Sequence, residues 1–122
     1  LYPMLFGTEI FIGASKEENF GHQVLFGLGG IFVEVMKDVK AALAPVNVDE
    51  AMSLIEQLKG YKILEGVRGQ EAVNIRMFAE TVAKVSALVT AAPEIAEMDL
   101  NPLLATPKRI VAVDARIRIE KE

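Results

Sequence analysis

Polar and apolar residues alternate from Thr8 onward. Thr8, Ile10 and Ile12 fall on one face, and Glu9, Phe11 and Gly13 on the other. A period of two predicts a strand with one buried side. The polar stretch Ser15 to Gly21 predicts a turn, and Val24 to Phe26 a return strand, giving a hairpin. Gly27, Gly29 and Gly30 then interrupt the pattern. A second alternating run follows, with Ile31, Val33 and Val35 against Phe32, Glu34 and Met36. Val39 to Ala44 predicts a short strand that Pro45 stops, because proline has no N–H to give to a ladder.

The period then changes. Asn47 can cap the free amides of a helix, and Glu50 three residues on completes a capping box. Ala51, Met52, Leu54, Ile55 and Leu58 form an apolar stripe at helical spacing, and Gly60 is read as the stop. A second helix is predicted from Asn74 or Ile75 to Ala92. Its buried face is Ile75, Phe78, Ala79, Val82, Val85, Ser86 and Val89, and Pro93 ends it. Glu65 to Gln70, with two glycines, is a loop between the helices.

Alternation returns near the C-terminal end. Met98 and Leu100 point one way, Asp99 and Asn101 the other, and Pro102 follows. In the last predicted strand Val111, Val113, Ala115, Ile117 and Ile119 share a face, opposite Asp114, Arg116 and Arg118. Strands and helices do not alternate as in a doubly wound sheet. The expected class is therefore α+β, a mainly antiparallel sheet with two packed helices, in one domain spanning residues 1–122.

Composition narrows the function classes. At 52% hydrophobic residues the chain can fill a core, which excludes disorder as its main state. The net charge of -4 supplies no basic excess for gripping phosphates along a nucleic acid. There is no cysteine and one histidine, which excludes disulfides, thiolate nucleophiles, Cys-ligated zinc and a multi-histidine metal site within one chain. The most apolar stretch, Val24 to Val33, is interrupted by glycine and is far short of the ~20 residues a spanning helix needs. The first residues, LYPMLFG, lack a basic region and a small-residue cleavage site, so they do not resemble a signal peptide. A soluble cytoplasmic protein without nucleic-acid or membrane partners is the expectation.

Three oxygen-bearing side chains are the leading candidates for chemistry. Alternation puts Asp99 and Asn101 on one side of a strand, and the short connection Pro102 to Arg109 suits a hairpin that brings Asp114 beside them. A hard cation such as Mg²⁺ takes one or two such ligands from protein and the rest from phosphates and water. An ordinary solvated strand face would carry the same residues. Arg116, two positions beyond Asp114, can either neutralise phosphate charge beside the metal or pair with Asp114 at the surface. GLGG (Gly27 to Gly30) offers backbone amides, with Gly29 and Gly30 the candidate phosphate contacts. It is neither GxGxxG opening a helix nor a P-loop, and a turn between strands explains it equally. Arg68, between Gly66 and Gly69, is a candidate phosphate clamp or a surface arginine. His22, near the end of the hairpin loop, has no partner carboxylate close in sequence.

Three segments taken together are specific: FGHQVLFGLGGIFVEVMKDV (Phe20 to Val39), GYKILEGVRG (Gly60 to Gly69) and EMDLNPLLATPKRIVAVDARI (Glu97 to Ile117). They resemble the C-terminal part of the ATP-grasp domain of ADP-forming acetyl-CoA (acyl-CoA) synthetases, relatives of the succinyl-CoA synthetase β subunit. The resemblance runs from about Gly7 over nearly the whole chain. It implies interconversion of acyl-CoA, ADP and phosphate with free acid, CoA and ATP, through an acyl phosphate and a phosphohistidine carried on a mobile segment. It implies Mg²⁺ and ATP or ADP as cofactors. Asn101 and Asp114 match the metal-binding pair, and Asp99 the neighbouring acid. Relatives usually carry proline at the position of His22, so the phosphorylated histidine is not assigned to it. The resemblance also implies that the other ATP-grasp half and the CoA-binding domains or subunit are partners that this sequence does not contain. Alternatives are a regulatory module of a synthetase-like protein fused to an acetyltransferase, and a self-associating domain that forms a homo-oligomer.

Overall fold

The computed structural model describes residues 8–17, 21–29, 38–66 and 72–120. Six strands of the described residues form one antiparallel sheet: β1 (Thr8–Glu17), β2 (Gly21–Leu28), β3 (Val39–Leu43), β4 (Ile95–Ala105), β5 (Ile110–Ala112) and β6 (Ala115–Ile119). The order across the sheet is β3-β2-β1-β4-β5, with β6 also paired to β4. Among the described residues three helices accompany it: α1 (Val48–Glu56), α2 (Tyr61–Glu65) and α3 (Ile75–Ala91). The expected α+β class holds, with a third, five-residue helix added. The alternating run Ile31 to Met36 lies outside the described residues.

The helices cover one face of the sheet. Ile10, Ile12, Val24, Phe26 and Leu28 point into that side and are fully buried, as are Phe78, Ala79, Val82 and Val89 of α3. The rings of Phe26 and Phe78 meet edge to face, with centroids 6.2 Å apart. Burying each such side chain contributes on the order of 1.5–3 kcal/mol. Helix α1 packs on α3. Its start is the predicted capping box: Asn47 accepts from the Glu50 amide, and the Glu50 side chain accepts from the Asn47 amide.

Four elements depart from their predicted bounds. The first hairpin is tighter than expected, because β1 runs on to Glu17 and β2 begins at Gly21. Helix α1 stops at Glu56 with Gln57 as its cap, and Gly60 opens α2 instead of ending α1. Strand β4 continues through Pro102 to Ala105, with a bulge against β1 between Leu100 and Leu103. The last predicted strand is broken at Val113 and Asp114 into β5 and β6.

The turn before α2 is held from a distance. Asp38 is 2% exposed, and its carboxylate accepts from the Lys59 amide at 2.6 Å and the Gly60 amide at 2.7 Å. A Cβ on Gly60 would overlap the Leu28 side chain, and one on Gly27 would overlap the Asp38 carbonyl. Two glycines and one buried acid therefore let β2, β3 and the α1–α2 turn approach at one point.

Candidate functional site

The face of the sheet away from the helices carries the candidate residues. Along β4 the side chains of Glu97, Asp99 and Asn101 are exposed on this face, while Met98 is buried on the other. In β6, Arg116 lies directly opposite Asp99 and Ala115 opposite Leu100. One step further the Asn101 amide donates to the Asp114 carbonyl at 3.2 Å, which sets Asp114 opposite Asn101. Directly opposed residues of an antiparallel pair project to the same side. The ion pair between Arg116 Nε and Asp114 Oδ2, 3.5 Å, places the Asp114 carboxylate on that side as well. Asp99, Asn101 and Asp114 are thus brought to one open surface, and the Asp114 side chain is 51% exposed.

Asp114 sits in the bend between β5 and β6, not inside a strand as its alternation predicts. The bend is bonded on both sides of β4's bulge, since the Val113 amide donates to the Pro102 carbonyl at 3.0 Å. On the neighbouring strand Gly13 pairs with Asp99. A side chain there would stand 3.8 Å from Asp99 Oδ1, so glycine leaves the flank of that carboxylate open.

The row continues past the three candidates. Glu97 takes Arg118 at 3.1 Å, and Arg118 also reaches Glu120 at 3.4 Å. The hydrogen bond and charge of Glu97 hold the Arg118 guanidinium above its ordinary range, so it stays protonated. Glu97 is a residue that motif reasoning misses, although the alternation that groups Asp99 with Asn101 also includes it. Among the described residues no three histidine, cysteine, aspartate or glutamate side chains gather as a metal cluster. The three candidates on this face are two carboxylates and a carboxamide. Those are hard oxygen donors, too few to enclose a cation, and suited to a Mg²⁺ that keeps its remaining positions for phosphate and water.

The other candidates fare differently. Arg116 is on the open face, with 81% of its side chain exposed. Gly29 is buried, and its amide donates to the Glu9 carbonyl at 2.8 Å. That N–H is therefore engaged by the backbone of β1. Gly29 serves the close approach of the chain to β1, where a Cβ would stand 3.4 Å from the Ile10 backbone. Gly30 and Arg68 lie outside the described residues. His22 is not in a loop: it is buried within β2, and Nε2 lies 2.6 Å from the Ile95 carbonyl. Because a carbonyl only accepts, Nε2 carries the proton, and the ring is a satisfied core group.

Comparison with known proteins gives the arrangement its context. Residues 2–119 match the ATP-grasp domain family. The chain belongs to the ATP-grasp family. This ATP-grasp chain is 44% identical over 118 residues to the acetate–CoA ligase [ADP-forming] I subunit beta of Pyrococcus furiosus, covering 96% of the chain and 51% of the relative. It is 43% identical over 102 residues to the 4-hydroxybutyrate–CoA ligase [ADP-forming] of Nitrosopumilus maritimus, covering 84% of the chain and 15% of the relative. Among solved structures, the dinucleotide-forming acetyl-coenzyme A synthetase 1 of Ca. Korarchaeum cryptofilum superposes with a TM-score of 0.88 at 42% identity. That match covers 98% of the chain and 55% of the synthetase chain. The synthetase was solved with coenzyme A and Mg-AMPPCP, its phosphohistidine segment pointing towards the nucleotide binding site. The ATP-grasp chain thus spans about half the length of the Pyrococcus subunit.

Proposed function

We propose that this chain is the nucleotide- and Mg²⁺-binding part of an ADP-forming acyl-CoA synthetase. The overall reaction would convert acyl-CoA, ADP and phosphate to free acid, CoA and ATP, and back. The observation that carries the reading is the placing of Asp99, Asn101 and Asp114 on the sheet face away from the described helices, through the β4–β6 register and the Asn101–Asp114 backbone bond. The overlap with ADP-forming ligases supports it.

Phosphoryl transfer between anions is limited by charge, and proteins catalyse it mainly by positioning and electrostatics. Mg²⁺ bound here would neutralise the phosphate oxygens between which the phosphoryl group passes. Asp114 and Asn101 would hold it, with Asp99 beside them. The two strands fix the spacing of these groups, so little rearrangement is needed when a nucleotide arrives. Arg116, on the same face, would meet phosphate charge directly. Gly13 would keep the approach to Asp99 clear.

Half of a nucleotide site needs its other half. The chain is inferred to be one subdomain of a two-part ATP-grasp unit. Its partners would be the second ATP-grasp subdomain, with its histidine segment, and the CoA-binding domains. Among the described residues no helix is long and apolar enough to cross a membrane. A cytoplasmic enzyme follows from the proposed substrates, ADP and acyl-CoA.

The test is ATP formation by the full-length protein from acetyl-CoA, ADP and phosphate, with and without Mg²⁺. Asp114→Ala should lower turnover by roughly 10²-fold or more, the scale of removing a key electrostatic group. Its circular dichroism should match the parent. Parent-like turnover in that variant would remove the metal assignment.

A further inference from the structure

We propose that Arg116 is a resident counter-cation: it neutralises Asp114 and Asp99 while the site is empty and turns to the phosphates when a metal nucleotide binds. This deepens the proposed function and rests on the metal reading given there.

Two carboxylates on the same face of neighbouring strand segments repel each other. A positive charge relieves that repulsion when no metal is present, and Arg116 is placed to supply it. It lies opposite Asp99 in the β4–β6 register and is paired to Asp114 at 3.5 Å. Its neighbour Arg118 shows what a fixed arginine looks like on this strand. Arg118 is held between Glu97 at 3.1 Å and Glu120 at 3.4 Å, with 57% of its side chain exposed. Arg116 is 81% exposed and joined to its acid by the longer contact. Arg118 is tied down, whereas Arg116 has room to swing.

Chemistry then fixes two opposite signs. A guanidinium beside carboxylates competes with a metal ion for them, so it weakens binding of the metal alone. The same guanidinium attracts phosphate oxygens and can grip them with two N–H groups, so it strengthens binding of a nucleotide. A residue that only shaped the strand would move both affinities the same way or neither.

The experiment uses the full-length protein at low ionic strength, with Arg116→Gln, Arg116→Lys and Asp114→Asn beside the parent. Free Mn²⁺ is followed by electron paramagnetic resonance without nucleotide, and Mg-ADP binding by calorimetry. Arg116→Gln should bind Mn²⁺ roughly two- to five-fold more tightly, as expected for losing one exposed like charge. It should bind Mg-ADP roughly three- to ten-fold more weakly, the scale of a lost charge-assisted contact. Arg116→Lys, which keeps the charge, should stay near the parent for Mn²⁺. Mn²⁺ binding lost in Asp114→Asn but unchanged or weakened in Arg116→Gln would overturn this proposal alone. Mn²⁺ bound equally by the parent and Asp114→Asn would overturn the metal reading, and this proposal with it.

Discussion

The Asn101 amide donates to the Asp114 carbonyl at 3.2 Å, tying the bulge of β4 to the bend between β5 and β6. Bulges re-aim side chains, and the bond holds the bulged residue on the side of β4 that faces away from β1. Because it is a backbone bond, it engages neither side chain.

That separation makes the side chains testable without disturbing the fold. Asn101→Ala keeps the amide and removes only the carboxamide. Both groups are exposed, so stability should change by no more than about 0.5 kcal/mol. Affinity for Mn²⁺ should fall roughly three- to ten-fold in Asn101→Ala, and further in Asp114→Ala, where a charge is lost. Equal thermal midpoints with these ranked affinities are the expected result. An Asn101→Ala protein with unaltered Mn²⁺ affinity would show that its side chain is not a ligand.

Asp38 and Gly60 should behave as one unit. Asp38→Ala removes the carboxylate that accepts from the Lys59 and Gly60 amides, at a cost of about 3–6 kcal/mol for two hydrogen bonds to a charged group. Gly60→Ala drives a Cβ into Leu28, for which overpacking costs about 1–3 kcal/mol. The same Cβ would stand 3.0 Å from Asp38 Oδ2, so the two changes share a neighbour. Urea unfolding of the single and double variants should give a double-variant loss smaller than the sum. Strict additivity would mean that the carboxylate and the glycine act separately.

Ser86 offers a sharper probe of the helix layer. It is fully buried in α3, and its hydroxyl accepts from the Val46 amide where the chain enters α1. Ser86→Ala barely changes volume, so any loss reports the stranded amide, about 1–3 kcal/mol. Phe78→Ala instead empties the space against Phe26 and should cost about 3–5 kcal/mol. The order of the two losses is the measurement.

What the sequence discloses follows how local each cause is. The capping box of α1 involves residues three apart, and the buried face of α3 is a single periodic stripe, so both are legible in the order of residues alone. The shared face of Asp99 and Asn101 is legible for the same reason. Pro102 misleads. A proline ends a strand only where the ladder needs its N–H, and here its carbonyl takes the Val113 amide instead. Gly60 has the form of a helix stop, but Leu28 and Asp38, distant in sequence, set its role. The polar run Ser15 to Gly21 points to a loop reaching almost to His22. The strands nonetheless pair down to Glu17 and Gly21, and the partner of His22, Ile95, is 73 residues away. The break at Val113 and Asp114 lies opposite Asn101 and Pro102 of β4, a long-range pairing that no run of residues announces.

Tyr61 gives a pH test of the short helix α2. Its phenol is pushed above the ordinary value of 10.0, first by burial and then by the charges of Glu65 and Glu56. All three causes disfavour the phenolate in the folded chain. The folded state therefore holds its proton to higher pH than the unfolded state does. The sign follows from proton linkage: Tyr61 leaves stability unchanged below the unfolded value, and stability falls as pH rises through the folded one. The difference between the parent and Tyr61→Phe isolates the signal from other tyrosines, Tyr2 among them. Absorbance at ~295 nm should titrate with a midpoint above that of the same chain in denaturant. Tyr61→Phe should abolish the step and flatten the alkaline loss of stability. Glu65→Gln should bring the midpoint part of the way down, because it removes the larger of the two charge effects and leaves burial in place. A midpoint at or below the denatured value would show that the phenol is fully solvated and that α2 does not pack as described.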